Sequence, residues 1–358
     1  MKKAILLLTF IFLLSGCYDY QEVNNLGIVS AIGIDYEDDK YIITLEILND
    51  SGDKESSKIS SYTKTNSDKS LAKAIEKTAD LIADKANYTH VKLMILSDSI
   101  IQDKFQTIID YFIRSTYFRE NFYVISSIDS SPKEILNNTT KNNPVVSSSI
   151  ISLLESNNYS SNSSVMKTFD QVIDEIITFG IDTCFSNITL NDEQFKIDGL
   201  LIFDEYEFKE KLNNDEATIY NILTNNFYRP IFSKEYDDLY FSVAIKSGDT
   251  KTYISDNKIF VEGNLEGKIM DNETNYDIRS LEVLNNLNND FTNIMNNKLN
   301  NFLEKIQKYK SDILGLSKSY YQKTREKEEN YWLNLKIESN IDFSINKKGL
   351  IYEVHDEK

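Results

Sequence analysis

The chain has 358 residues, with 39 Lys plus Arg against 56 Asp plus Glu, a formal charge of −17 and 41% apolar residues. That balance excludes a disordered chain, a collagen-like chain and a polytopic membrane protein, and so acidic a body repels phosphates, so no nucleic-acid partner is expected. With 2 Cys, 2 His and 3 Pro, the composition supports neither a disulfide framework nor a Cys/His metal site nor long flexible linkers.

Lys2 and Lys3 precede an apolar run, Ala4 to Leu14, too short for a hydrocarbon core that needs about 20 residues. The run ends in Leu14-Ser15-Gly16-Cys17, which resembles a bacterial lipobox. Residues 1–16 therefore read as a lipoprotein signal peptide, with Cys17 as the site of lipid attachment. Loss of Lys2 and Lys3 makes the mature body more acidic still. An anionic lipid surface repels such a body, so the acyl chains or a protein partner must hold it there.

Leu26 to Ile34 and Tyr41 to Leu48 are apolar runs around Asp35-Tyr36-Glu37-Asp38-Asp39, which predicts a β-hairpin with an acidic, solvated turn. Asn49 to Ser67 reads as a soft, Ser- and Lys-rich segment. Leu71, Ala74, Ile75, Thr78 and Ile82 fall at helical spacing. Val91 to Leu96 fits a buried strand, and Ser99 to Gln102 has capping-box form before the stripe Phe105, Ile108, Ile109, Phe112. Phe122 to Ile128 is the next strand. Ser131-Pro132-Lys133-Glu134 is a second helix start. Asn157 to Ser164 is expected as a polar surface loop, between helices at 150–154 and 169–177.

Phe195 to Phe203 predicts a strand interrupted at Asp198-Gly199, followed by a helix near Ala217 to Leu223. Tyr240 to Ile245, Thr252 to Ile254 and Lys258 to Met270 predict short antiparallel strands joined by turns. Leu281 to Ile306 carries apolar residues every three or four positions, a long helix. Leu333 to Ile345 alternates as a strand, with a turn at 346–349 and a last strand at 350–354. The expected fold class is α+β and multi-domain, with mixed and antiparallel sheets, covering helices and one long helix near the C-terminus. An N-terminal α/β region is expected over 17–195 and a C-terminal α+β domain over 196–358.

Catalytic chemistry has little to stand on. His90 reads as a packed or hydrogen-bonded structural residue, His355 as a solvated tail residue and Cys184 as a buried thiol. No phosphate-binding glycine run occurs, and the acidic turn lacks the Gly and Glu of a calcium loop. No catalytic residue, metal or cofactor is therefore expected. Arg114 and Arg119 form a notable pair in an arginine-poor chain, facing either internal carboxylates or a partner. The 37 Asn read as compositional bias.

The run from Cys17 through Asn24-Asn-Leu26-Gly-Ile-Val29 to Gly33-Ile-Asp35 resembles the mature start of the Ger(x)C family, the lipoprotein C subunits of spore germinant receptors. Tyr88-Thr-His90-Val-Lys92, Tyr111-Phe-Ile-Arg114 with Arg119, and Ser131 to Leu136 continue the match in order. Gly199 to Asp204 with Leu212, Ser311-Asp312-Ile-Leu-Gly315-Leu and Trp332 complete it. Tyr18 stands where the family usually has Trp, and Ser317 and Tyr320-Tyr321 replace a Gly and a basic pair. The resemblance implies a non-catalytic interaction subunit, tethered at Cys17 to the outer face of the spore inner membrane. It also implies two integral membrane partners, the A- and B-type receptor subunits. The alternative is a solute-binding lipoprotein of a transporter. Asp35, Arg114, Arg119 and Asp312 are the candidate interaction or structural ion-pair positions.

Overall fold

A computed structural model describes residues 26–49, 59–139, 144–328 and 330–346. The signal peptide, Cys17, His355 and the final strand expected at 350–354 lie outside the described residues.

The first half builds one sheet. Its strands are β1 (Leu26–Glu37), β2 (Lys40–Asn49), β3 (Ser60–Asp68), β4 (Lys85–Asn87), β5 (Leu93–Ser97), β6 (Tyr123–Ser127), β7 (Lys167–Thr168), β8 (Cys184–Asn191), β9 (Gln194–Asp204) and β10 (Glu207–Leu212). The order is β10-β9-β8-β6-β5-β1-β2-β3, with β4 beside β1 and β7 beside β6. The centre, β1, β5, β6 and β8, is parallel and the flanks are antiparallel. Central strands covered on both faces are apolar throughout, which is why β1 and β5 read as continuous hydrophobic runs. Helices α1 (Leu71–Ala79), α2 (Asp98–Asp103) and α3 (Phe105–Arg114) cover one face. Helices α4 (Pro132–Asn137) and α5 (Val146–Tyr159) cover the other, and α6 (Phe169–Ile177) returns to the first.

The second half follows α7 (Asn214–Leu223). It contains a sheet ordered β11 (Ile231–Tyr236), β12 (Leu239–Ser255), β13 (Lys258–Asn272), β14 (Lys336–Asn346). Helix α8 (Leu281–Tyr309) lies across it, and α9 (Leu316–Thr324) with a 3-10 turn at Tyr331–Asn334 leads into β14. Leu287, Phe291, Met295, Leu299, Phe302 and Ile306 of α8 are buried at steps of three and four. They share a core with Phe241, Val261 and Phe343 of the sheet, and with Cys184, Leu200 and Ile202 of β8 and β9. The fold is thus α+β with mixed sheets, as expected.

Hairpin turns at Asp38-Asp39, Asp192-Glu193, Asp237-Asp238 and Asp256-Asn257 have positive φ at both residues, the two-residue form that matches strand twist. In β9, Gly199 sits at φ +85, and a Cβ there would lie 2.0 Å from the Leu212 carbonyl oxygen. The interruption at Asp198-Gly199 is therefore a bulge opposite Asn187, between the Ser186–Leu200 and Ile188–Ile197 pairs.

Several expectations change. Residues 60–68, part of the segment expected to be soft, form β3. It pairs with β2 along its whole length and reads as polar because it is an edge strand. The cap before α2 is Ser97, not Ser99: the Ser97 hydroxyl accepts the Ile100 N–H at 3.3 Å. The two short strands expected at 240–254 are one strand, β12, carried past Gly248 by bulges against β13. The polar loop at 157–164 is helical to Tyr159, and Asn162, Ser163 and Ser164 are buried. There the Asn157 side chain accepts the Ser163 and Ser164 N–H groups, and Asn221 donates to the Asn162 and Ser164 carbonyls. Asn and Ser satisfy their own backbone, so the loop is buried without an apolar signature.

Asparagine has a structural task in α8 as well. Asn288, Thr292 and Asn296, four residues apart, accept the N–H groups of Ile345, Phe343 and Ile341 on the outer edge of β14. Asn300 accepts the Ser339 hydroxyl at 2.6 Å. Four helical residues rise about 6 Å and two strand residues about 6.6 Å, so one helix stripe stays in step with alternate strand N–H groups on an edge of β14 that no described strand covers.

Candidate functional site

After α6 the chain passes through Thr178–Thr183 and runs against Ser311–Lys318, the link from α8 together with the first turn of α9. Gly180, at φ +77, accepts the Lys318 N–H at 2.9 Å. A Cβ on Gly180 would come within 2.5 Å of the Lys318 nitrogen, so only glycine allows this approach. Asp182 donates its N–H to the Asp312 carbonyl at 3.0 Å, and Asp312 donates its own to Asp182 Oδ2 at 2.6 Å. Asp182 Oδ1 accepts the Glu205 N–H at 3.1 Å. Asp312 Oδ1 and Oδ2 accept the Leu316 and Ser317 N–H groups, each at 2.8 Å, capping α9. The Ser311 hydroxyl donates to the Phe203 carbonyl of β9.

This seam joins the two sheets through two carboxylates. Burial pushes the Asp312 carboxyl up to about 6; the backbone donors pull against that, and the Asp182 charge adds to it. Burial likewise pushes Asp182 up to about 6, with Asp204 and Glu205 adding repulsion against its backbone donors. A cleft of about 270 Å³ opens beside them, lined by Phe179, Asp204, Lys310, Lys327 and Trp332. The Lys327 ammonium stands 4.6 Å from the Phe179 ring centroid. Each carboxylate oxygen already accepts a backbone N–H, so the pair's chemistry here is to hold two chain segments together.

Asp35 lies elsewhere, at the carboxyl end of β1. Its Oδ1 accepts the Tyr36 N–H at 2.8 Å and the Ser99 hydroxyl at 3.0 Å. The connection after β5 leaves to one face of the sheet and that after β6 to the other, which opens a crevice at the strand ends. Asp98, Ser127, Asp129 and Ser131 share that crevice with Asp35. Arg114 sits at the end of α3, 3.3 Å from Asp110 one turn back, with both side chains exposed. Arg119 is exposed in the following loop. The structure therefore does not bring Asp35, the arginines and Asp312 into one site.

His90, expected as a packed or hydrogen-bonded residue, is exposed in the turn between β4 and β5 and so is not packed. Cys184 is fully buried, and burial pushes its thiol up, away from nucleophilic thiolate. Beside it Lys167 and Glu175 pair at 2.6 Å. Burial opposes the Lys167 charge, but the paired Glu175 carboxylate outweighs it and holds the ammonium above the ordinary lysine range.

Sequence reading missed Asp182, Glu46 and Asn187. Glu46 is wholly buried; it accepts the Ser30 and Ser61 hydroxyls at 2.7 and 2.8 Å and the Val146 N–H at 2.6 Å. A charge inside Leu45-Glu46-Ile47-Leu48 was the available signal. Asn187 accepts from the Ser126 hydroxyl and the Ile128 N–H, stitching β8 to β6. Among the described residues, no group of three or more His, Cys, Asp or Glu is arranged to hold a metal, and no helix is long and apolar enough to cross a membrane.

Family models match most of the chain. One described as the spore germination protein N-terminal domain matches residues 19–190. One described as spore germination B3/GerAC like, C-terminal, matches residues 198–352. Spore germination protein KC of Bacillus subtilis (strain 168) is 23% identical over 396 aligned positions, covering 97% of this chain and 95% of that protein. The crystal structure of the GerBC protein superposes with a TM-score of 0.51 at 17% identity, covering 88% of this chain and 96% of that one. The two share a fold.

Proposed function

The chain belongs to the GerAC-like family of spore germination proteins, and from that premise we propose that it is a lipid-anchored, non-catalytic subunit of a spore germinant receptor. Acyl chains on Cys17 hold the body at the outer face of the spore inner membrane. There it associates with two integral membrane subunits of A and B type. The observation that carries the reading is the ordered pair of family matches across residues 19–190 and 198–352, preceded by the lipobox at Leu14–Cys17.

The mechanism is associative. Confinement to the membrane raises the concentration of the body at its partners, and it biases signalling by favouring one state of the assembly over another. The transporter reading calls for two matching lobes; among the described residues, a mixed sheet of ten strands and a sheet of four strands are not alike.

Replacing Cys17 with Ala is expected to move the protein from the membrane to the soluble fraction of spores and to abolish nutrient-triggered germination. Retention of the variant in washed membranes would contradict lipid anchoring. Gene deletion with an unchanged nutrient response, and no related gene to compensate, would contradict the receptor role.

A further inference from the structure

The geometry points to one end of the first sheet, the end where β1 begins, as the face that lies against anionic lipid headgroups. This rests on the tether at Cys17 proposed above. Cys17 and Leu26 are nine residues apart, at most about 30 Å of extended chain, so the end of the sheet that carries Leu26 is held nearest the bilayer.

Leu26 pairs with Lys85 of β4. Two segments pack around that end, residues 80–92 and 110–120, joined by the Tyr88–Phe118 ring contact at 4.7 Å. They present apolar side chains to solvent: Tyr117 is 69% exposed, Leu81 45% and Ile113 43%. Tyrosine and leucine with flanking cations are the residues that settle at a headgroup boundary.

Charge differs between the patch around Leu26 and the patch around Asp35, although farther along the sheet the Asp204–Glu207 turn adds acid at the Leu26 end. The segments around Leu26 carry Lys85, Lys92, Arg114 and Arg119, which balance Asp80, Asp84, Asp110 and Glu120. At the opposite end, 35–40, 97–99 and 127–131 bring together Asp35, Glu37, Asp38, Asp39, Asp98 and Asp129 against three cations: Lys40, Lys104 over the Tyr36 ring, and Lys211 3.8 Å from Asp129. In a mature body more acidic than the full chain's −17, the patch beside Leu26 is the part an anionic surface tolerates and the acidic patch beside Asp35 is the part it repels. Tether and field act in the same direction, and the crevice beside Asp35 is turned away from the membrane.

The test uses the full-length lipidated protein on vesicles of phosphatidylethanolamine and brominated phosphatidylglycerol, with Tyr117→Trp and Glu37→Trp in separate proteins. Trp332 is buried and supplies a common background. The indole placed by Tyr117→Trp is expected to be quenched about twofold more than that placed by Glu37→Trp, and to shift to the blue, as for a ring seated in the headgroup region. Equal quenching at the two positions, or stronger quenching from Glu37→Trp, would overturn the orientation. Co-sedimentation separates the two ideas. Protein that pellets with vesicles but shows no selective quenching is anchored with another face down, whereas protein that does not pellet loses both the anchor and the orientation.

Discussion

Asp182 and Asp312 carry a charge cost into the seam. Both carboxyls are pushed up to about 6 from 3.8, chiefly by burial, so the folded state binds their protons more tightly than the unfolded state does. The stability they contribute is complete below the unfolded value near 3.8 and is lost as pH rises through about 6. Asp182→Asn removes one such proton from the balance. Urea unfolding between pH 4 and pH 7 should therefore show a flatter loss of stability in the variant, by up to about 1.4 kcal/mol per pH unit. A steeper loss in the variant would mean that the carboxylate, not the acid, is the form the seam prefers. The Asn variant also carries a geometric cost at every pH: both Asp182 oxygens accept N–H groups, and an amide nitrogen turned toward either would oppose donor to donor.

The asparagine stripe of α8 solves an edge-strand problem. An uncovered edge offers its N–H groups to other chains; here Asn288, Thr292 and Asn296 take them. Asn296→Ala leaves the Ile341 N–H without its acceptor, which is expected to cost about 1–3 kcal/mol in urea unfolding. The neighbouring Asn297 is exposed, and Asn297→Ala should stay within about 0.5 kcal/mol. Equal effects at the two positions would reduce the stripe to helix propensity. Pairing Asn288→Ala with Asn296→Ala should also raise light scattering at constant temperature, since two alternate N–H groups of β14 are then open.

At the scale of the whole molecule, the first sheet does not stop where the sequence turns strand-rich. β9 and β10, residues 194–212, complete it beside β8, while Leu200, Ile202 and Leu212 face the core that α8 closes. A fragment ending at 195 strips β8 of its antiparallel partner and exposes that edge; one ending at 213 keeps all the strands of the sheet. The longer fragment should elute from gel filtration as the more soluble and monodisperse species. The reverse outcome would show that β9 and β10 depend on the second half for their order. The same long-range joinery brings the acidic segments 35–39, 97–99 and 127–131 together, because they meet only once the parallel strands align.

The residues alone determined the elements whose signals are local. The β1–β2 hairpin, the Ser131–Glu134 capping box, the stripe of α3 and the long helix α8 all follow from periodicity and caps within one or two turns of chain. Tertiary structure decided what depends on distant partners. β3 is a strand because β2 offers it an edge, and the loop at 157–164 is buried because Asn221 meets its carbonyls. Asp182 and Asp312 are 130 residues apart, and nothing near either one encodes the other. Periodicity reports which face of a segment avoids water; it carries no record of which remote segment will cover that face, and the seam, the capped edge and the gathered acidic segments are all made of such meetings.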